Sequence, residues 1–298
     1  MKESPSSEPD NTLTASNYCV SFIDLLGQRN ILSGEGLLPY FQSEEEKKNW
    51  VLKKLRESVG AIDQLQRDAK DFLQAARSTN SHALLTSLSP EVQDELSEIE
   101  NFTVKTQRWS DGLVSFVCLR DQVIKFQMTR IFDLIGYTGT LCFLGLCNQH
   151  PLRGAIEISW GVELHPKELY GPAVSRAYNL ENEIAQYPRI VIGPDVINYL
   201  ERQSLNQEDA LFSHYNSNLA KLCLEFFVQD IDGHWILHYL GEEFKNAITK
   251  GQHEKMYWEA RNFILRQLDE HQADKNSKLA FRYSHLLKYF DDHKPQDD

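Results

Sequence analysis

The chain reads as an α+β protein, a mixed and mainly antiparallel sheet flanked by helices. Two observations carry that expectation. Apolar runs of strand length alternate with longer segments of helical spacing, and two pairs of runs close around Asp-Gly turns as hairpins. The 298 residues, 41% of them hydrophobic, are enough to bury a full core.

Each element has its own reason. Residues 1–16 are rich in Ser, Pro, Glu and Asp and read as a disordered leader. "NYCVSFID", 17–24, is nearly continuous in apolar residues, which predicts a strand central in its sheet. Gly27 permits a turn into a short helix near 28–33. Residues 43–77 predict a long helix. Ser43 and Glu46 have capping-box spacing, and Val51, Leu55, Val59, Ile62, Ala69, Phe72 and Ala76 recur on one face. A second helical piece starts at Ser89-Pro90, so a helical insertion occupies about 43–100.

"NFTVKTQRW", 101–109, and "GLVSFVCL", 112–119, predict a hairpin around Ser110-Asp111-Gly112. A long helix follows over 122–149, then a strand in "LRGAIEISW", 152–160. "GPAVSRAYNLENEIA", 171–185, opens a helix with Pro in its first turn, and "RIVIG", 189–193, is a short buried strand. "LEFFVQDIDGHWILHYL", 224–240, predicts a second hairpin around Asp232-Gly233, and 242–292 keeps helical spacing. The organisation is a leader (1–16), a main domain (17–245) and a helical C-terminal extension (246–298). The element order gives the sheet ferredoxin-like character.

Composition narrows the function. The formal charge is −12, with the acids spread along the chain, whereas a nucleic-acid binder has a basic footprint. A small phosphorylated substrate stays compatible, because metal ions supply positive charge locally. The five cysteines are odd in number, lack C-x-x-C spacing and sit mostly in apolar runs, which predicts reduced buried thiols, a cytoplasmic setting and no zinc. "FDLIGYTGTLCFLGLC", 132–147, is too short to span a bilayer and contains Asp133, so a buried core helix is expected and no membrane. The ten histidines form no metal-binding pattern, and His165, His234 and His238 read as surface or strand residues. Walker, G-x-G-x-x-G and nucleophile-elbow motifs are absent from the sequence.

Two carboxylates stand out. Asp24 ends the first strand, and Asp111 sits at the hairpin tip expected beside it. Either alone is explained as a cap or turn residue. Together on adjacent strands, two like charges destabilise each other, and a divalent cation resolves the conflict. Hard Mg²⁺ or Mn²⁺ takes one or two carboxylates plus substrate phosphates. In "ELYGPAVSRAYNLE", 168–181, Ser175 and Asn179 are four apart on one helix face, with Arg176 about 60° round from Asn179. An ordinary amphipathic helix with Val174, Ala177 and Tyr178 inward accounts for the same pattern.

Taken in order, "FIDLLG", "SDGLV", "LRGAIEIS" and "YGPAVSRAYNLE" resemble the strand, hairpin and helix motifs of class III nucleotide cyclases. Within that superfamily the chain resembles the bacterial anti-phage Pycsar cyclases, which make cyclic UMP or cyclic CMP. The resemblance covers roughly residues 17–245 and includes the "DIDGHWILHYL" hairpin.

The resemblance implies a class III cyclase core and a soluble homodimer with composite sites. Asp24 and Asp111 of one subunit would face the helix of the other. It makes Asp24 and Asp111 the catalytic metal ligands, with the Leu25 carbonyl a third, for two Mn²⁺ or Mg²⁺ ions. One ion would activate the ribose 3′-hydroxyl and the other would offset triphosphate charge. Backbone amides of residues 25–28 would cradle phosphate. The product would be a 3′,5′-cyclic nucleotide with pyrophosphate, from UTP in preference to CTP on subfamily grounds, acting through a cyclic-nucleotide-sensing effector.

Two departures follow. Where adenylyl cyclases carry an Asn and, four residues on, an Arg, this chain has Ser175 and Asn179, so a transition-state donor would come from Arg176, Arg29 or Arg153. The base-reading positions fall at Gln107 and Glu168, and Trp109, on the strand face of Gln107, either stacks on a base or fills the core. The rival expectations are an inactive nucleotide-binding relative and a helical interaction module built on 43–77 and 242–292.

Overall fold

The computed structural model describes residues 14–26, 37–58, 60–85, 104–109, 112–120, 126–165, 167–206 and 212–295, without the side chains of 56–58, 76–85 and 109. In chain order they form β1 (Ala15–Leu25), α1 (Glu44–Ser58), α2 (Gly60–Leu85), β2 (Lys105–Trp109), β3 (Gly112–Cys118), α3 (Gln127–Cys147), β4 (Leu152–His165) and β5 (Glu168–Tyr170). Then come α4 (Pro172–Glu183), β6 (Ile190–Ile192), α5 (Pro194–Ser204), α6 (Ser213–Glu225), β7 (Phe227–Gln229), β8 (Trp235–Leu237), α7 (His253–Ala273) and α8 (Ser277–Asp292). An irregular stretch between β8 and α7 holds a π turn at Lys245–Thr249. The fold is α+β, as expected.

The sheet has the order β2-β3-β1-β4-β6-β8-β7, with β5 paired to β4. Among the described residues only the β4–β6 pair is parallel; β1 lies antiparallel between β3 and β4. A strand with neighbours on both sides and cover on both faces must be apolar throughout, and Cys19, Val20 and Ile23 are fully buried.

The two faces are covered unequally. Cys19, Ile23, Leu113, Val117, Leu152 and Ile156 join the main core, into which α3 presses Met128, Ile131, Leu134 and Ile135. The expected core helix is thus α3. Among the described residues it is the one helix long and apolar enough to cross a membrane, and 78% of its apolar window is buried within the fold. Residues of α2, α5, α6, α7 and α8 complete this core, including Tyr257, Phe263, Leu286 and Phe290. The C-terminal extension therefore shares the core of residues 17–245.

On the other face, Tyr18, Val20, Phe22, Val114 and Phe116 meet Ala173, Val174 and Ala177 of α4 in a small cluster. Gly171 starts α4 at φ 133°, a left-handed value suited to glycine, with its Cα side against the Gly161 backbone.

Several boundaries differ from expectation. β1 begins at Ala15, inside the expected leader, whose residues 1–13 lie outside the described residues. Helical structure continues to Leu85 rather than ending at 77. The Ser43 cap is present, its Oγ accepting from Glu46 N at 3.1 Å. The expected apolar face holds in α2, where Ile62, Leu65, Ala69 and Leu73 are buried, but Leu55 of α1 is exposed. β4 continues past residue 160 because its end pairs with β5. In the second hairpin each strand has three residues, because Leu219, Ala220 and Cys223 form a helical stripe that carries α6 to Glu225. The turn at Gly27, the helices near 28–33 and at Ser89-Pro90, and Ser110 and Asp111 lie outside the described residues.

Candidate functional site

The site is built at the end of β1. Asp24 is in register with Gly112 of β3 on one side and Arg153 of β4 on the other. Strand alternation puts Asp24 on the same face as Tyr18, Val20 and Phe22, the face that α4 covers. The position is nearly closed, Asp24 being 7% exposed. A carboxylate so placed needs compensation. Arg153 provides it, with Nη2 donating to Asp24 Oδ2 at 3.2 Å and Nε lying 2.6 Å from Glu181 Oε1. Glu181 comes from the last turn of α4, so β1, β4 and α4 are joined by one acid–arginine–acid triad.

The other expected residues fall into three groups. Leu25 follows Asp24, with its side chain in the core, and the next amide, Leu26 N, donates to Pro151 O at 3.0 Å. Asp111 and Arg29 lie outside the described residues, as do residues 27 and 28 of the expected phosphate cradle; Gly112, the chain neighbour of Asp111, stands directly across from Asp24.

Gln107 and Glu168 are brought together. Gln107 Oε1 accepts from Leu169 N at 3.0 Å, and Glu168 is the exposed residue just before it. By register Gln107 lies two residues along and two strands across from Asp24, about 12 Å on the same face. The Trp109 backbone pairs with Gly112; its side chain lies outside the described residues.

On α4, Ser175 and Asn179 are exposed, together with Tyr178, expected inward but packed edge-on against Phe22 at 5.2 Å. Arg176 is engaged elsewhere, reaching Glu157 Oε2 at 3.2 Å and Asp195 Oδ2 at 2.6 Å. Glu157 is buried in β4. Burial raises its pKa by more than the Ile158 amide and the Arg176 charge lower it. A side chain at Gly193 would collide with this carboxylate, so that position is kept without one.

Glu181 and Glu157 were not singled out from the sequence, though a signal existed. Glu181 continues the inward stripe of Val174 and Ala177, and Glu157 sits amid apolar residues of a buried strand. A carboxylate on a core-facing position demands a partner.

Asp24 is a hard oxygen donor, a chemistry that fits a magnesium or manganese ion, although the Arg153 guanidinium holds its Oδ2 here. Among the described residues no three His, Cys, Asp or Glu side chains cluster as a metal cage. The thiols are all free, with Cys19, Cys142 and Cys223 buried.

A scan against protein-family models finds no match to this chain, and a search of curated proteins finds none either.

Proposed function

We propose that the chain is a metal-dependent nucleotide cyclase that converts a pyrimidine ribonucleoside triphosphate, UTP in preference to CTP, into its 3′,5′-cyclic nucleotide and pyrophosphate, as the signal generator of an anti-phage defence system. The observation that carries the reading is the register of Asp24 with Gly112, which sets the two motif strands side by side. The order β2-β3-β1-β4, antiparallel throughout, supports the finer fold assignment, since a ferredoxin-like split βαβ core has that order.

Asp24, the Leu25 carbonyl and Asp111 would hold Mn²⁺ or Mg²⁺, which when bound acidify the ribose 3′-hydroxyl and offset the triphosphate charge. Arg153 holds Asp24 in place, and Gln107 lies further along the same face, its Oε1 accepting from the Leu169 amide next to Glu168. Trp160 (53% exposed) and Tyr170 (69% exposed) leave apolar surface at the β4–β5 edge, on the face opposite Asp24, and the composite sites of a cytoplasmic homodimer rest on the resemblance to class III cyclases.

The test incubates purified protein with Mn²⁺ and each of the four ribonucleoside triphosphates separately and identifies products by mass. Cyclic UMP or cyclic CMP supports the reading, and a cyclic purine product keeps the cyclase but removes the pyrimidine assignment. Absence of product with all four overturns it in favour of an inactive relative.

A further inference from the structure

Glu181 sits where a carboxylate is least welcome. It lies in the last turn of α4, the end at which the helix dipole favours cations, and it is 2% exposed, continuing the buried stripe of Val174 and Ala177. Desolvation and dipole both oppose a negative charge there. The fold still fixes the position. Arg189, held at 2.6 Å by Asp230 and by Asp232, donates at 2.8 Å to the carbonyl of Ile184, the residue that ends α4.

The guanidinium that Glu181 meets is shared unequally. Arg153 Nε approaches Glu181 Oε1 at 2.6 Å without the alignment of a hydrogen bond, whereas Nη2 donates to Asp24 Oδ2 at 3.2 Å. The closer contact is the one to the helix. Asp24 and Arg153 already face each other in register across β1 and β4, a cross-strand pair that balances one charge against the other. Glu181 is therefore not needed to bring the arginine to Asp24. What its carboxylate changes is how much of the guanidinium Asp24 holds.

We infer that Glu181 is a positioning residue for Asp24. It draws the Arg153 guanidinium towards α4, so that Asp24 is oriented by the arginine yet keeps its capacity to bind a divalent cation, and it takes over the guanidinium when Asp24 binds one. The inference rests on the cyclase reading for the place of the ion. A carboxylate fully paired with a guanidinium is a poor ligand for Mg²⁺ or Mn²⁺, because the two cations repel each other across it. Groups that act through a metal ligand typically set its affinity by about 10–100-fold.

The experiment titrates full-length protein with Mn²⁺ alone, without nucleotide, and reads unbound Mn²⁺ by electron paramagnetic resonance. The proteins are wild type, Asp24→Asn, Glu181→Gln, Arg153→Met and the double variant Glu181→Gln with Arg153→Met. Asp24→Asn should abolish binding, and Glu181→Gln should weaken it about tenfold. Adding Arg153→Met to Glu181→Gln should restore affinity to the wild-type value or beyond, since the guanidinium and its holder leave together. Arg153→Met alone should bind at least as tightly as wild type while being the least stable of the single variants to urea, an order that a packing role for Glu181 does not produce. If that variant fails to fold, the double variant, with one stranded carboxylate fewer, decides. Equal affinity in wild type and Glu181→Gln, a double variant that binds no tighter than Glu181→Gln, or no wild-type binding that depends on Asp24 overturns the inference. Cyclic nucleotide made by a Glu181→Gln protein of unchanged Mn²⁺ affinity removes the positioning role and leaves the cyclase reading. The expected order of affinities in a protein that cyclises none of the four nucleotides keeps the role and removes the cyclase reading.

Discussion

Replacing Arg153 by Met tests whether the triad at the end of β1 is arranged around the arginine. The side chains of Asp24, Arg153 and Glu181 are 10%, 14% and 2% exposed, so the buried regime applies. Removing the arginine leaves two carboxylates sharing one enclosed site, and loss of one partner of a buried pair costs about 3–5 kcal/mol. Glu181→Gln keeps the shape and leaves Arg153 on Asp24, so about 1–2 kcal/mol is expected. Asp24→Asn loosens the longer contact, at 3.2 Å, while the 2.6 Å contact to Glu181 survives, for about 1 kcal/mol.

Urea unfolding of the three variants at pH 7 measures the order directly. Combining Asp24→Asn with Arg153→Met should recover about 1–2 kcal/mol relative to Arg153→Met alone, because one stranded charge is removed. An Arg153→Met variant within about 1 kcal/mol of wild type, or one more stable than Asp24→Asn, would refute the argument. The expected order also bears on function. A carboxylate that can be neutralised cheaply is not placed at the strand end to hold the fold together, which leaves ligand binding as its reason for being there.

Two further expectations concern the frame around the site. Arg189→Met should cost about 3 kcal/mol in urea unfolding, because it strands Asp230, which is hydrogen-bonded by Tyr187 and paired at 2.6 Å to Arg189. Burial raises the Asp230 pKa, but Tyr187, the Ile231 amide and Arg189 together bring it below the ordinary value. The stability it contributes is therefore present above about pH 4 and lost as pH falls through the lower folded value, a loss that a pH series should find absent from Arg189→Met. His238 and His253 have pKa values lowered to about 4, by burial first and then by neighbouring His293 and His253 around one and Lys245 around the other. Both charge more readily when unfolded, so stability should decline from about pH 6.5 towards pH 4, by at most about 2.7 kcal/mol per pH unit for the two together; a flat urea midpoint across that window would refute it.

The parts legible in the sequence are those where one physical demand dominates. The near-continuous apolar run of β1 forecast a strand central in its sheet, and β1 lies between β3 and β4; the Ser43–Glu46 spacing forecast a cap whose hydrogen bond is present. The exit of Asp24 from an apolar strand marked a charge in need of a partner, for which the sequence suggested a divalent cation shared with Asp111, whereas the partner present is Arg153. What was not legible depends on partners far apart in sequence. β5 is three residues long and exists through its pairing with β4. α1 has the apolar periodicity of a packed helix, yet Leu52 and Leu55 remain exposed, because periodicity says that a face is apolar and not what covers it.

Arg176 shows why a helix position alone does not assign a role. By spacing it neighbours Asn179, and a cation was wanted there. Glu157, on the strand directly beneath α4, had already created a stronger demand, since an almost wholly buried carboxylate must recruit the nearest guanidinium. With Arg176 drawn to Glu157 and Asp195, the exposed face of α4 is left with Ser175, Tyr178 and Asn179, none of them cationic. The positive charge beside Asp24 comes instead from Arg153 of β4, which the strand register sets directly across from Asp24. The pairing of β1 with β4 is thus as much a condition of the site as Asp24 itself.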